Sequence, residues 1–389
     1  MNKIKISIVL FLAAFLLFLG VGPSQAEVFV QCGEGNPNPN KVCKNISAGD
    51  GFITMADGTV LYIFGFADVT GSMEPIMDGM LAANFTGPTI FLDEGDEFYL
   101  NLTNVGMMMR PDLFDAHTIH FHGFPNASNI FDGEPHATMG INMGATLTYY
   151  FNIVEPGTYM YHCHMEATEH MEMGMLANLY VRPKQDKGPP ITYQGKTYTK
   201  FAYNDGDGST GYHVEFPIQM GSMDRYFHEQ HIAVQPLPFH LLDTSYAVLN
   251  GRGYPDTVNP NPLPPPADGV NMDKVSQPVS SLITANAGQK ILLRISNLNV
   301  IREFTLATLG IPMNVVGRDA RLLRGPDGKN LSYTTNSVTL ASGETADVIL
   351  NVPADAGGKT YFLYTTNLNY LSNDQEDFGG MMTEIRINN

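Results

Sequence analysis

The sequence predicts an all-β fold arranged as two tandem β-sandwiches. Three observations predict it. Between residues 51 and 183 the chain runs in short β-branched and aromatic stretches separated by turn residues, at 59–66, 88–92, 98–102, 117–121, 146–153, 157–163 and 176–181. Their even spacing and period-two alternation are the pattern of a sandwich. A charged, Pro- and Gly-containing segment at 184–196 then reads as a linker, and a second β-rich stretch follows it. The length of 389 residues suits about two ordinary domains, each able to bury a full core.

Taken in order, Lys3 and Lys5, an apolar run at 8–19 and Ser24-Gln25-Ala26 read as a secretory leader over 1–26. The run is short for a membrane anchor, and no later stretch is apolar enough to span a bilayer. An exported protein is expected, in the periplasm, at the cell surface or outside the cell. An extension at 27–50 holds Cys32 and Cys43 in a Gly/Pro/Asn-rich context. Export permits a disulfide between them, contributing roughly 2–3 kcal/mol by chain entropy, with two free thiols as the alternative. The net charge is −17, and removal of the leader with its two lysines makes it −19. That balance argues against nucleic acid and anionic membranes as partners. It permits a basic partner, although an acidic surface also simply keeps an exported protein soluble.

The chemistry lies in two motifs. One is Tyr161-His162-Cys163-His164, followed by His170 and Met175. The other is His117-Thr118-Ile119-His120-Phe121-His122-Gly123. Seven of the eleven histidines fall between 117 and 170, six of them in these motifs. A buried Cys or Met alone is ordinarily structural, and the 21 methionines are ordinary adaptable packing before they are Cu(I) ligands. A soft thiolate, imidazoles and a thioether at such spacing select copper. Strand pleat sorts them further. His162 and His164 point one way and Cys163 the other; His120 and His122 share a face, and His117 opposes them. On neighbouring strands, His120, His122, His162 and His164 converge on one side, and His117 and Cys163 on the other. The first group suits a His-only copper centre open to a small oxidant. The second suits a His₂Cys site with a weak axial Met. The chain itself links the two through Cys163.

On these motifs the chain resembles the multicopper oxidases, the family of laccases and ascorbate oxidase. The resemblance implies cupredoxin-like Greek-key sandwiches. It implies a type 1 copper on His117, Cys163, His170 and Met175, and type 2 and type 3 copper on His120, His122, His162 and His164. One departure is the Cys163-x6-His170 step, longer than is usual in the family, which bears on the ligand-loop geometry. Gly87-Pro88-Thr89-Ile90 with Glu94-Gly95-Asp96 resembles the opening strands of a cupredoxin domain. Leu249-Asn250-Gly251 and Ser342-Gly343-Glu344 resemble parts of a second. The expected layout is a copper-binding domain at 51–185, a linker at 186–199 and a copperless domain at 200–389. In the latter, alignment of Gly310 with Gly123 puts Ala307 and Leu309 where His120 and His122 stand, and Tyr364 and Thr366 replace His162 and His164.

The resemblance implies an oxidoreductase. Single electrons pass from a small-molecule, metal-ion or protein donor to the type 1 copper, and on to a centre that reduces dioxygen to water. A full three-copper centre of the family uses eight His, and this chain offers four in motif. A homodimer or homotrimer is therefore expected, with His213, His228, His231 and His240 as further candidate ligands whose default reading is exposed loop histidines. Two alternatives stand beside the oxidase: a copper nitrite reductase-like enzyme, for which His164 is surplus, and a non-enzymatic blue-copper carrier.

Overall fold

Strands carry almost all regular structure among the described residues, 38–233, 236–267 and 274–389 of this computed structural model. The leader and Cys32 lie outside them. Cys43 is disulfide-bonded. Residues Asn40–Asn389 form one compact unit.

Eight strands build the first sandwich: β1 (Lys41–Thr54), β2 (Val60–Asp68), β3 (Ile90–Asp93), β4 (Glu97–Gly106), β5 (His120–His122), β6 (Thr146–Asn152), β7 (Gly157–His162) and β8 (Leu176–Arg182). One sheet has the order β2-β1-β4-β6 and the other β3-β8-β7-β5. Phe66, Phe98, Phe121, Tyr149 and Tyr161 are in the core between them. Strand β1 pairs in parallel with β4 from Lys41↔Glu97 onward, with Ile46 and Ala48 fully buried. Residues 41–50 therefore belong to the first sandwich rather than to an extension preceding it.

The second sandwich packs a seven-stranded sheet, with Val214–Met223, Lys290–Asn297, Thr345–Asn351 and Met313–Arg318 at its centre, on a five-stranded one. Its strand Met382–Asn388 shows the period-two rule directly: Thr383, Ile385 and Ile387 are buried while Arg386 and Asn388 are exposed. The region read as a linker contains a hairpin, Ile191–Tyr193 with Lys196–Tyr198. Among the described residues the α-helices are short: Pro75–Gly79, Ala167–Glu172 and Arg225–Ala233. The last was not expected. Asp224 caps it, its Oδ1 accepting from the Phe227 N–H at 3.2 Å.

Strand β7 is buried along its whole length because its outer side meets the second sandwich. Thr158 Oγ1 donates to Asp347 Oδ1 at 2.6 Å, and Thr345 Oγ1 donates to the Thr158 carbonyl at 2.9 Å. Arg294, fully buried, pairs with Glu215 at 3.1 Å and Asp347 at 3.3 Å, and lies 4.7 Å from the Tyr180 ring centre. Arg182 of β8 adds a second bond to Glu215 at 2.7 Å. Burial works against the Glu215 charge, but the two guanidiniums outweigh it and hold the carboxyl below its ordinary range. Removing only the cation leaves the buried Asp347 carboxylate without a cation and Glu215 with Arg182 alone. Arg294→Met is expected to cost about 3–5 kcal/mol, read as the shift in a urea unfolding curve; a loss under 1 kcal/mol would contradict this account of the interface.

Candidate metal centre

Cys163 follows β7, and its N–H donates to the Met175 carbonyl at 3.0 Å at the mouth of β8. Its Sγ lies 3.2 Å from His170 Nδ1 and 3.9 Å from His117 Nδ1. Among the described residues, this is the one trio of His, Cys or acidic donors whose ligand atoms all fall within 4.8 Å of one another, and all three residues are buried. The Thr118 N–H points at the sulfur from 3.5 Å. Met175 is fully buried, and its N–H donates to the His170 carbonyl at 2.8 Å. Two imidazole nitrogens and a thiol, with a thioether residue tied by backbone bonds to both sides, are a donor set that fits copper.

His170 comes from the helix Ala167–Glu172, which occupies the long step after Cys163. The extra residues make a helical turn rather than a loose loop. His170 Nε2 faces Asp115 Oδ2 at 3.7 Å and Glu166 Oε2 at 3.9 Å.

On the other side of β7, His120 pairs in register with His162. Ring centres are 5.3 Å apart for His120 and His162, 5.0 Å for His120 and His164, 5.9 Å for His120 and His122, and 5.5 Å for His162 and His164. The four rings gather without bringing three donor nitrogens within 4.8 Å of one another, so the cluster is wider than one small ion. His120 Nδ1 meets the Asp132 carbonyl at 2.6 Å and His162 Nδ1 meets the Cys163 carbonyl at 2.9 Å, which leaves both Nε2 atoms for a metal. The Cε1–Nε2 edge of His122 abuts Gly343: a Cβ there would stand 3.1–3.2 Å from it. A cleft of about 210 Å³ opens beside His122, lined also by Thr158, Met160, Asp319 and Glu344.

Burial, then the neighbouring His170, holds His117 far below the ordinary imidazole range, and burial takes His162 down to about 3. Both are neutral at pH 7, as ligands require. For His170 burial opposes the charge, but the Cys163 sulfur and Asp115 outweigh it and hold the metal-free group at about 10.

The second sandwich repeats the strand pairing without the ligands. Ala307 pairs with Tyr364 as His120 does with His162. The remaining histidines are not four loop residues. His228 and His231 are fully buried on the helix Arg225–Ala233. His228 Nδ1 meets the Tyr62 carbonyl at 2.6 Å, and His231 Nε2 meets Glu169 Oε1 at 2.6 Å. Neither is free to reach another chain. His213 Nδ1 accepts from the Lys290 N–H at 2.9 Å, His240 is exposed, and His136 is an exposed loop residue paired with Glu134. Asp115 was missed from sequence, as was the burial of His228 and His231 on a helix; the cap Asp224 and the i, i+3 spacing of the two histidines were the available signals.

Two multicopper oxidase family models match the chain, one over residues 74–186 and one over 239–385. An L-ascorbate oxidase of Brassica rapa subsp. pekinensis is 24% identical over 314 residues, 78% of this chain and 47% of that protein. The chain thus spans about half the length of this curated relative. Among solved structures, the blue copper oxidase of Nitrosomonas europaea superposes with a TM-score of 0.62 at 24% identity, covering 89% of this chain and 86% of that one. A copper nitrite reductase of the same organism gives 0.57 at 16% identity, covering 90% and 94%. These two likenesses speak to the fold. No helix among the described residues is long and apolar enough to cross a membrane.

The buried imidazoles set a pH dependence for the copper-free protein. His162 at about 3, His228 at about 4 and His117 take up protons near pH 6.5 only when unfolded. Their lowered values leave stability intact above about pH 6.5 and remove on the order of a few kcal/mol as pH falls toward 3. His170, raised to about 10, contributes below about pH 6.5 and loses that contribution as pH rises toward 10. Unfolding curves of copper-free protein from pH 4 to 10 should peak near neutrality; a monotonic rise through pH 9 would refute the assignment.

Proposed function

The chain belongs to the multicopper oxidase family, and from that premise we propose that it is an exported copper-dependent oxidoreductase using dioxygen as acceptor. The observation that carries the reading is the two-sided arrangement about β7. His117, Cys163 and His170 gather on one side, and His120, His122, His162 and His164 on the other. Copper held by these two sets would supply one-electron uptake from a reductant at the Cys side and four-electron, four-proton reduction of dioxygen to water at the His side.

The chain's own residues connect and shape the two places. Cys163 is bonded through its backbone to His162 and His164, so the path between the sets is short and covalent. The backbone carbonyls on His120 and His162 fix which ring nitrogen faces the metal. Full burial of His117, Cys163, His170 and Met175 excludes water from the sulfur. Asp115 and Glu166 at the outer edge of His170 place negative charge where a reductant would approach. The reductant's class is small molecule, metal ion or protein.

Four imidazoles fall short of the family's eight, and the second sandwich offers none in register. We infer a homodimer or homotrimer in which another protomer completes the His centre, most economically with the same four positions. Of the second-sandwich histidines, His213 and His240 remain as alternative trans ligands. The nitrite reductase-like reading is supported by the two-sandwich size, the carrier reading by a second sandwich without copper motifs; presence of all four motif histidines and the family matches favour the oxidase.

Copper analysis with electron paramagnetic resonance and oxygen uptake tests the proposal: more than one copper per chain and oxygen consumption are expected. Nitrite consumption without oxygen uptake, or a single blue copper with neither, would favour the alternatives. Cys163→Ser should abolish the blue colour and leave the His-bound copper in place, because the thiolate generates that colour; a variant of undiminished colour would sink the assignment. Met175→Leu should keep the colour and raise the reduction potential. Sedimentation should find an oligomer, and a monomer that holds three or more coppers besides the blue one would overturn the assembly.

A further inference from the structure

We propose that the helix Arg225–Ala233, contributed by the copperless second sandwich, is the clamp that positions His170, with His231 as its positioning residue. This rests on the reading of His117, Cys163, His170 and Met175 as the blue copper site.

The helix that presents His170 cannot hold itself. Ala167–Glu172 has six residues, far below the length at which a helix is stable alone. Its N-cap, Glu166, sits in the left-handed region at φ 47° and makes no side-chain capping bond. External contacts must supply the order; beside the Phe64 N–H, which donates to the Met173 carbonyl at 2.9 Å, several come from one element. His231 Nε2 donates to Glu169 Oε1 at 2.6 Å. His228 Nε2 lies 3.1 Å from the Glu172 carbonyl and its Nδ1 2.6 Å from the Tyr62 carbonyl, so the neutral ring's single N–H serves one of the two. Glu172 Oε1 accepts from the Asp224 N–H at 2.7 Å, at the residue that caps the second helix. Phe64 stands between the two helices, its ring centre 4.6 Å from that of His231 and 5.7 Å from that of His170. Arg110 donates to the His231 carbonyl and holds the far end.

Plain core packing does not account for this choice of residues. Phe227, His228 and His231 are all at least 99% buried, and burying an imidazole costs free energy that an apolar side chain of similar size does not. Both histidines direct polar atoms at the same six-residue helix, at both its turns. The clamp also accounts for the long Cys163-to-His170 step: the extra residues form a turn that the second sandwich holds.

The test uses full-length protein with His231→Leu, His231→Gln, Glu169→Ala and the exposed-face control Tyr226→Ala. His231→Leu and Glu169→Ala break one bond from opposite ends, so either suffices should the other fail to fold. Each should weaken copper retention at the blue site about 10–100-fold, alter the intensity ratio of its thiolate-to-copper bands and shift its potential. His231→Gln keeps a donor and should restore most of all three, and Tyr226→Ala should match the parent. In copper-free protein, amide exchange over 166–173 should accelerate in His231→Leu, a readout that holds whichever metal reading is right. Unchanged exchange, affinity and spectrum in His231→Leu, or His231→Gln as impaired as His231→Leu, would overturn the clamp. Absence of a blue signal in the parent protein would instead defeat the site assignment on which the clamp's metal role rests.

Discussion

Strand β7 is the constraint on which the rest of the molecule depends. A pleated strand must send neighbouring side chains to opposite faces, so the tripeptide His162-Cys163-His164, which begins at the last residue of β7, serves two environments. That demands a β7 buried on both sides, and no single sandwich can provide it. The first sandwich supplies the core against Tyr159 and Tyr161. The second covers Thr158 and Met160 through Asp347, Thr345 and Leu298. The buried Arg294 cluster then fixes the two bodies against each other where β7 and β8 meet the central strands of the second sheet.

The second sandwich supplies contacts where it supplies no in-register ligands. Its Ala307–Tyr364 pair stands where imidazoles would, yet its turn at Gly343 abuts His122 and its helix Arg225–Ala233 packs behind His170. It therefore touches both candidate centres without an in-register donor of its own. Such a division of labour is physically reasonable: imidazole positions need orientation from the surrounding shell as much as they need the metal, and a rigid sandwich orients better than a loop.

Burial decides the chemistry of the donors. The same His-to-metal motif on an exposed strand would titrate near pH 6.5. Here desolvation keeps His117 and His162 neutral, while the sulfur and Asp115 pull His170 the other way. One structure thus holds histidines whose proton affinities differ widely, set by what each ring faces and not by residue type.

The sequence alone determined the all-β class, the two-sandwich plan and the sorting of His120, His122, His162 and His164 from His117 and Cys163. It could do so because period-two alternation is a local property of the chain, and ligand spacing within one strand or turn is local too. Tertiary structure decided what depends on distant contacts. That β1 starts at Lys41 follows from its pairing with β4, more than fifty residues on. That the Cys163-to-His170 step is a helical turn follows from a partner helix some sixty residues further along. His228 and His231 read as loop residues because their helix is short and its apolar stripe is interrupted by the two imidazoles themselves. Only the packed fold shows those imidazoles buried against Tyr62, Glu169 and Glu172, since burial is a property of the assembled surfaces and not of any segment that forms them.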